Sequence, residues 1–295
     1  MSQILESKST TSEFFDGRLF VLRNGFALDG RISAYPEAAR GHAVSNCYLL
    51  VNDNGALLLD TGAAIFEQQI LAQLEDLIDR DTPLSLFPLR INEFMSVGNA
   101  AAIAERFNVV GCYAQLPDVH DWLDFRAKDA SASPSRPIVP TLALRDHPLR
   151  IATDDANGLE AILAPIRLIS TFWVFDDSTG TLFSSDMFCH TWHDDKDGPW
   201  IMTNQDDHVT TTAFVRSFLL NTRYWWLEGA ALETIRLGVA DVFNRLDIQM
   251  IAPAFGALLK GRDAVERQFA VLDTVLREAD RSVVKPAYIP RGQQR

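Results

Sequence analysis

The run Cys189-His190-Thr191-Trp192-His193-Asp194-Asp195 gathers the side chains of this chain best able to do chemistry. Its histidines stand at His-x-x-His spacing, which is common in metal sites; Asp186 lies just upstream and His208 beyond. Imidazole and carboxylate together suit iron or zinc. Joined to Glu93 or Asp186, the pair His190 and His193 would form a mononuclear centre. A second reading is as concrete. The run leads into Asp194, Asp195, Lys196, Asp197 and Gly198, an exposed polar loop, where histidines are solvated or bound to backbone. No CxxC, glycine-rich phosphate loop, nucleophile elbow or dinucleotide fingerprint offers another chemistry.

The elements that must position these groups follow from periodicity. Residues 18–26 and 46–52 are rich in Val, Leu, Phe and Tyr and read as strands. Asp53-Asn54-Gly55 is a hairpin turn, because Asn and Gly tolerate positive φ. Residues 56–59 then form a short buried strand and 64–80 a helix, with Ile65, Ala72, Leu74, Leu77 and Ile78 at helical spacing. Strands are expected at 84–89, 109–112, 159–163, 168–175, 181–184 and 248–253. Helices are expected at 100–107, through most of 210–244 and at 261–279. Residues 129–137 are the most loop-like stretch and read as an excursion within one domain rather than a linker. The order of strands and helices fits an α/β (α+β) fold, a four-layer αβ/βα sandwich of two mixed β-sheets flanked by helices.

Composition narrows the partners. A net charge of −12 argues against nucleic acid and against an anionic membrane, both of which reward basic patches. No apolar run is long enough for a transmembrane helix. Residues 1–13 lack an apolar core of the signal-peptide kind and read as a disordered N-terminal tail. Three scattered cysteines, Cys47, Cys112 and Cys189, fit a reducing cytoplasm, and Cys47 and Cys112 read as core thiols. His42, His120 and His147 have no partner pattern. The cluster Tyr224-Trp225-Trp226 lines a pocket on one reading and fills core on the other.

Three segments carry a family resemblance. Residues 46–62, ending in Leu57-Leu58-Leu59-Asp60-Thr61-Gly62, resemble the opening of a metallo-β-lactamase-fold protein. Phe172-Trp173-Val174-Phe175, a turn and Thr181-Leu182-Phe183-Ser184-Ser185-Asp186-Met187-Phe188 resemble the second metal-binding strand end of the flavodiiron and oxygen-binding diiron branch. The stretch Ile251-Ala252-Pro253-Ala254-Phe255-Gly256 resembles that branch's Ile-Ala-Pro-Ser-His-Gly. The resemblance extends over residues 19–275 and implies one metallo-β-lactamase-like domain over 14–295, without the flavodoxin domain of flavodiiron proteins and without a flavin signature.

That branch holds two irons through a His-x-Glu-x-Asp-His loop, a later His, a bridging Asp and a final His-Gly. Carried onto this chain, the loop positions fall on Ile91, Glu93, Met95 and Ser96, the later His on Arg167, the bridging Asp on Asp186 and the final His on Phe255. Only Glu93 and Asp186 keep the ligand type, and Ile or Phe cannot ligate. Asp60 resembles the family's structural Asp, which orders the ligand loop. The resemblance therefore implies a lost dinuclear centre, with these positions lining a ligand pocket and Arg167 supplying the cation where metal charge once sat. The expected role is a small-ligand-binding, sensor or regulatory protein, with a possible protein partner. The alternative is a metal-dependent hydrolase or oxygen-active oxidoreductase with a rebuilt site of Glu93, Asp186, His190 and His193. By resemblance alone, a homodimer is expected.

Overall fold

A computed structural model describes residues 8–115, 123, 139–144, 149–152 and 158–293. Strand β1 (Ser9–Phe14) opens one seven-stranded sheet and is followed in order by β2 (Leu19–Ala27), β3 (His42–Asn52), β4 (Gly55–Leu59), β5 (Leu84–Phe87), β6 (Val109–Ala114) and β7 (Thr141–Ala143). The second sheet comprises β8 (Leu149–Ala152), β9 (Gly158–Leu163), β10 (Phe172–Asp176), β11 (Thr181–Ser185), β12 (Ile201–Met202), β13 (Met250–Pro253) and β14 (Leu258–Lys260). Its spatial order is β12-β14-β13-β11-β10-β9-β8. Both sheets are mixed: β4, β5 and β6 run parallel to their successors, as do β11 with β13 and β12 with β14.

Alternation along each strand explains the layers. Tyr48 and Leu50 on β3, Leu57 and Leu59 on β4, Phe172 and Val174 on β10 and Met250 and Ala252 on β13 join one cluster between the sheets. Their neighbours Cys47, Leu49, Leu58, Trp173, Phe175 and Ile251 point the other way, into a second cluster shared with the helices. Helix α1 (Glu67–Glu75) packs on β1 and β2, and the C-terminal helix Arg262–Ala279 on β13 and β14, backed by helices Thr212–Leu220 and Glu233–Arg245. The result is the αβ/βα sandwich expected from the sequence.

Several boundaries differ from the periodic reading. Helix α1 stops at Glu75, five residues before 80, behind a 3-10 turn at Ala64–Phe66. Residues 168–171 are not strand; β10 begins at Phe172, where its backbone N–H donates to Leu89 O at 2.8 Å. The expected N-terminal tail is in part an edge strand: Ser9–Phe14 pairs antiparallel with Leu19–Asn24, whose open hydrogen-bonding edge it fills despite its polar sequence. Residues 1–7 and the expected excursion at 129–137 lie outside the described residues.

Four strands end beside one another in a rim that gathers the chemistry. Asp60 follows β4, Leu89 to Glu93 follow β5, Asp186 follows β11 and Phe255 follows β13. The parallel pairing of β4 with β5 and of β11 with β13 points these ends the same way in each sheet. Three residues at this rim, Asp60, Ser185 and Phe188, hold left-handed φ values of 60°, 54° and 66°. For non-glycine residues that conformation is strained, and such strain persists only where surrounding contacts over-determine it.

The layer between the sheets makes a quantitative expectation. Phe183 is fully buried, with its ring 4.9 Å from Tyr48. Phe183→Ala is expected to lower unfolding free energy by about 3–5 kcal/mol in urea denaturation, and exposed Leu237→Ala by no more than about 0.5 kcal/mol. Equal effects would mean the inter-sheet layer is not the core.

Candidate functional site

Asp60 organises the loop after β5. Its Oδ1 accepts from the backbone N–H of Leu89 at 2.8 Å and from the Ser96 hydroxyl in a short hydrogen bond. Ser96 Oγ in turn accepts from the backbone N–H of Arg90 at 3.2 Å. This lattice fixes residues 89–96 and turns the Arg90 side chain inward, where it is 1% exposed.

Arg90 is the centre of the site. Its Nη1 lies 3.2 Å from Asp186 Oδ2 and 3.8 Å from Glu93 Oε2. Arg223 reaches the same two oxygens with its own Nη1, at 3.3 Å and 3.6 Å. Its Nη2 donates to Ser33 Oγ at 3.0 Å, and Tyr224 donates its hydroxyl to Asp186 Oδ1 at 3.0 Å. Two guanidinium groups therefore clamp two carboxylates.

Electrostatics follow from that clamp. Burial disfavours charge on Asp186, but Arg90 first, then Arg223 and the Tyr224 hydrogen bond outweigh it and hold its pKa below the usual carboxylate value. Burial also opposes the Arg90 charge, and Asp186, Asp60 and Glu93 overcome it and raise its pKa. At Asp60 burial wins. Arg90, Ser96 and Leu89 compensate only in part, and its pKa rises from 3.8 to about 6. The Cys189 thiol, buried nearby, is pushed up to about 12 by desolvation and is no nucleophile at neutral pH.

A cavity of about 140 Å³ opens onto this network. Arg90, Glu93, Asp186, Arg223 and Tyr224 form its polar floor, while Ser33, Thr171, Arg167, Leu168 and Ile169 form the rim. Three of the residues expected at a ligand pocket thus meet here: Glu93, Asp186 and Arg167. The other four sit elsewhere. Ile91 is buried in core, Met95 packs against it, Ser96 serves Asp60, and Phe255 is wedged edge-on between Phe26 and Tyr35, each with centroids 6.4 Å away.

The expected role of Arg167 needs correction. It is exposed, donates Nη1 to the carbonyl of Ala164, and makes no ion pair with Glu93 or Asp186. Arg90 and Arg223 supply the guanidinium charge instead. Arg90 stands immediately before the loop position Ile91 and Arg223 immediately before the cluster Tyr224-Trp225-Trp226, at positions where the family pattern carries no ligand. The available signal was Arg90 itself: a charged residue between Leu89 and Ile91 at the end of a buried strand must find compensation inside.

The histidine pair is buried rather than solvated, and the backbone-bound reading holds for His193, which hydrogen-bonds the backbone of Pro199. His190 is buried with Nε2 3.1 Å from Thr210 Oγ1, and His193 has Nδ1 3.3 Å from Arg291 Nη2. Both imidazoles are buried, and burial lowers their pKa values to about 4. His193 also bridges backbone with His42. Among the described residues, no three His, Cys, Asp or Glu side chains gather in a way that could hold a metal ion. The dinuclear iron of the diiron branch does not fit the residues present: the oxygen of Asp186 that faces Glu93 is already shared by two guanidinium groups.

Replacing Arg90 by Met leaves Asp186 and Glu93 with Arg223 alone, and is expected to reduce stability by about 3–5 kcal/mol. A ¹³C-carboxyl titration is expected to place Asp60 near pH 6, with Asp186 below the ordinary range. The two act in opposite senses. Asp60, raised on folding, contributes stability that is lost as pH rises from 3.8 to about 6. Asp186, depressed on folding, contributes stability that is lost as pH falls through its folded value. An ordinary titration at both positions would contradict the clamp.

Comparison with known proteins identifies the scaffold. No family model matches the chain. No curated protein matches it either. Solved structures do. A point mutant of the flavo di-iron protein from Thermotoga maritima superposes with a TM-score of 0.64 at 17% identity, covering 90% of this chain and 61% of its own. The rubredoxin oxygen:oxidoreductase from Desulfovibrio gigas gives 0.65 at 16% identity, with coverages of 90% and 61%. A fragment of a putative diflavin flavoprotein from Nostoc sp. PCC 7120 gives 0.62 at 14% identity, covering 92% of this chain and 99% of the fragment. The chain thus spans about 61% of the length of the first two. At these identities the likeness is one of fold, and the chain has the metallo-β-lactamase fold found in flavodiiron proteins.

Proposed function

We propose that this chain is a flavodiiron-like protein that has exchanged the dinuclear metal position for an arginine–carboxylate network, and that it acts as a small-ligand-binding, sensor or regulatory protein. The observation that carries this reading is Arg90, a buried guanidinium standing 3.2 Å from Asp186 and 3.8 Å from Glu93. A divalent cation between the same carboxylates would face two fixed positive charges, and electrostatic repulsion rises steeply inside a protein.

The cavity supports a ligand rich in hydrogen-bond acceptors. The guanidinium groups of Arg90 and Arg223 line its floor. The rim adds the hydroxyls of Ser33 and Thr171 and the guanidinium of Arg167. Three arginines against two carboxylates leave the lining one positive charge in excess, which favours a small carboxylate-bearing or strongly polar molecule. A homodimer, a protein partner and a cytoplasmic location belong to the same reading. The three buried free thiols are compatible with reducing surroundings, and among the described residues no helix is long and apolar enough to cross a membrane.

The rival is a metal-dependent hydrolase or oxygen-active oxidoreductase built from Glu93, Asp186, His190 and His193. Similar folds whose names include di-iron keep iron in view. Elemental mass spectrometry on protein purified without tag or chelator separates the two. Less than about a tenth of an equivalent of iron, zinc or manganese, unchanged after incubation with each metal, is the expected outcome. Near-stoichiometric metal lost on His190→Ala or His193→Ala would overturn it.

A further inference from the structure

The layer between the two sheets is left unfilled at the end opposite the Arg90 rim. At that end β3 leaves at Asn52, β4 enters at Gly55, β5 enters at Leu84 and β10 ends at Asp176. A cavity of about 170 Å³ stands there between the sheets. Leu50, Leu57 and Leu159 of the inter-sheet cluster form its inner wall. None of its lining residues belongs to the Arg90 cavity.

Two features of the backbone shape this space. The register of β5 against β6 shifts between Leu84 and Ser85, which leaves Val110 outside the ladder as a bulge whose residue lines the cavity. The turn after β3 is pressed onto Pro83. Gly55 holds φ at 141°, and a Cβ there would come within 2.4 Å of the Pro83 carbonyl oxygen, which accepts from the Ala56 N–H at 2.8 Å.

The polar groups of the lining are unspent. Ser85 shares a face of β5 with Phe87, and the Tyr113 ring lies 5.6 Å from that of Phe87, so both residues point into the layer. Among the described residues neither hydroxyl has a hydrogen-bond partner, and neither is enclosed. Burial raises the Tyr113 phenol pKa, which keeps its proton on the oxygen as a donor. An inward serine adds little packing where an apolar side chain would fill the space. Arg18 and Asp176 also line the cavity, and their charges cancel. The Asp176 carboxylate is taken up by Ser178 and Thr179, whose hydroxyls donate to it at 2.7 Å and 2.8 Å.

We propose that this cavity binds an uncharged, single-ring phenol, its ring against Leu50, Leu57 and Leu159 and its hydroxyl hydrogen-bonded to Tyr113 and Ser85. Volume sets the size, since an apolar cavity of about 150 Å³ holds one benzene ring. The two free hydroxyls set the polar group, because a phenol both donates and accepts. The cancelled charge sets neutrality: an ion here would lose hydration without gaining a counter-charge.

Saturation-transfer NMR of phenol with the full chain, followed by competition, tests this. Saturable binding with a Kd on the order of 1 mM is expected for so small a ligand. Toluene, the same ring without the oxygen, should displace phenol about fivefold less effectively. Benzoate and benzylamine should not displace it. Tyr113→Phe removes only the hydroxyl and should weaken binding about fivefold. Ser85→Leu fills the cavity and should abolish binding, with a melting temperature equal to or above that of the wild type. Tyr113→Phe decides the matter should Ser85→Leu fail to fold. No saturable binding, displacement by benzoate or benzylamine as effective as by toluene, or binding unchanged in either variant would overturn the proposal.

Discussion

The need to compensate one buried cation organises this molecule's functional rim. Arg90 is enclosed, and a guanidinium in that setting demands carboxylates at close range. Asp186 and Glu93 meet it directly, Asp60 holds the loop that carries it, and Arg223 closes the remaining angle. Removing any one leaves a charge inside the protein with too little opposite it. The left-handed residues Asp60 and Ser185 stand where two strands hand their ends to this network, so local backbone strain and the ion network are parts of one arrangement.

The scaffold explains why such a network arose at this place. Parallel strands in each sheet deliver side chains to a common rim, and in a fold of this kind the rim is where ligands bind. A carboxylate pair at a rim holds either a metal or an organic cation; the choice lies with its neighbours. Here Ile91, Met95 and Phe255 fill space as apolar groups, and Ser96 has turned to serve Asp60. With apolar packing at these positions, the carboxylates take guanidinium as their counter-charge.

Much of this was legible in the sequence, and the gaps have physical causes. Apolar runs such as residues 46–52, the second half of the strand His42–Asn52, declared themselves, as did Asp60 and Asp186 at strand ends. Ser9–Phe14 did not, because Ser-Thr-Thr-Ser-Glu-Phe has little apolar signal and gains its order from the neighbouring strand. The three-residue strand Leu258–Lys260 is too short for periodicity to register. The burial of His190 and His193 was masked by their acidic neighbours; the apolar residues within the run, Cys189 and Trp192, are both buried and were the better guide. Arg90 and Arg223 escaped because a family pattern directs attention to the positions that carry ligands in that family, and a counter-charge need not come from those positions.

The ion network also bears on how the chain reaches its folded state. Arg90 and Asp186 are 96 residues apart, Asp186 and Arg223 are 37 apart, and Arg223 and Ser33 are 190 apart. Each contact closes a long loop, and closing them together requires both sheets to be paired beforehand. Interactions made that late are absent from the transition state for folding, so they slow unfolding without hastening folding. On this account the rim acts as a latch: it adds little to the speed of assembly, and it sets how long the assembled sandwich persists before it opens.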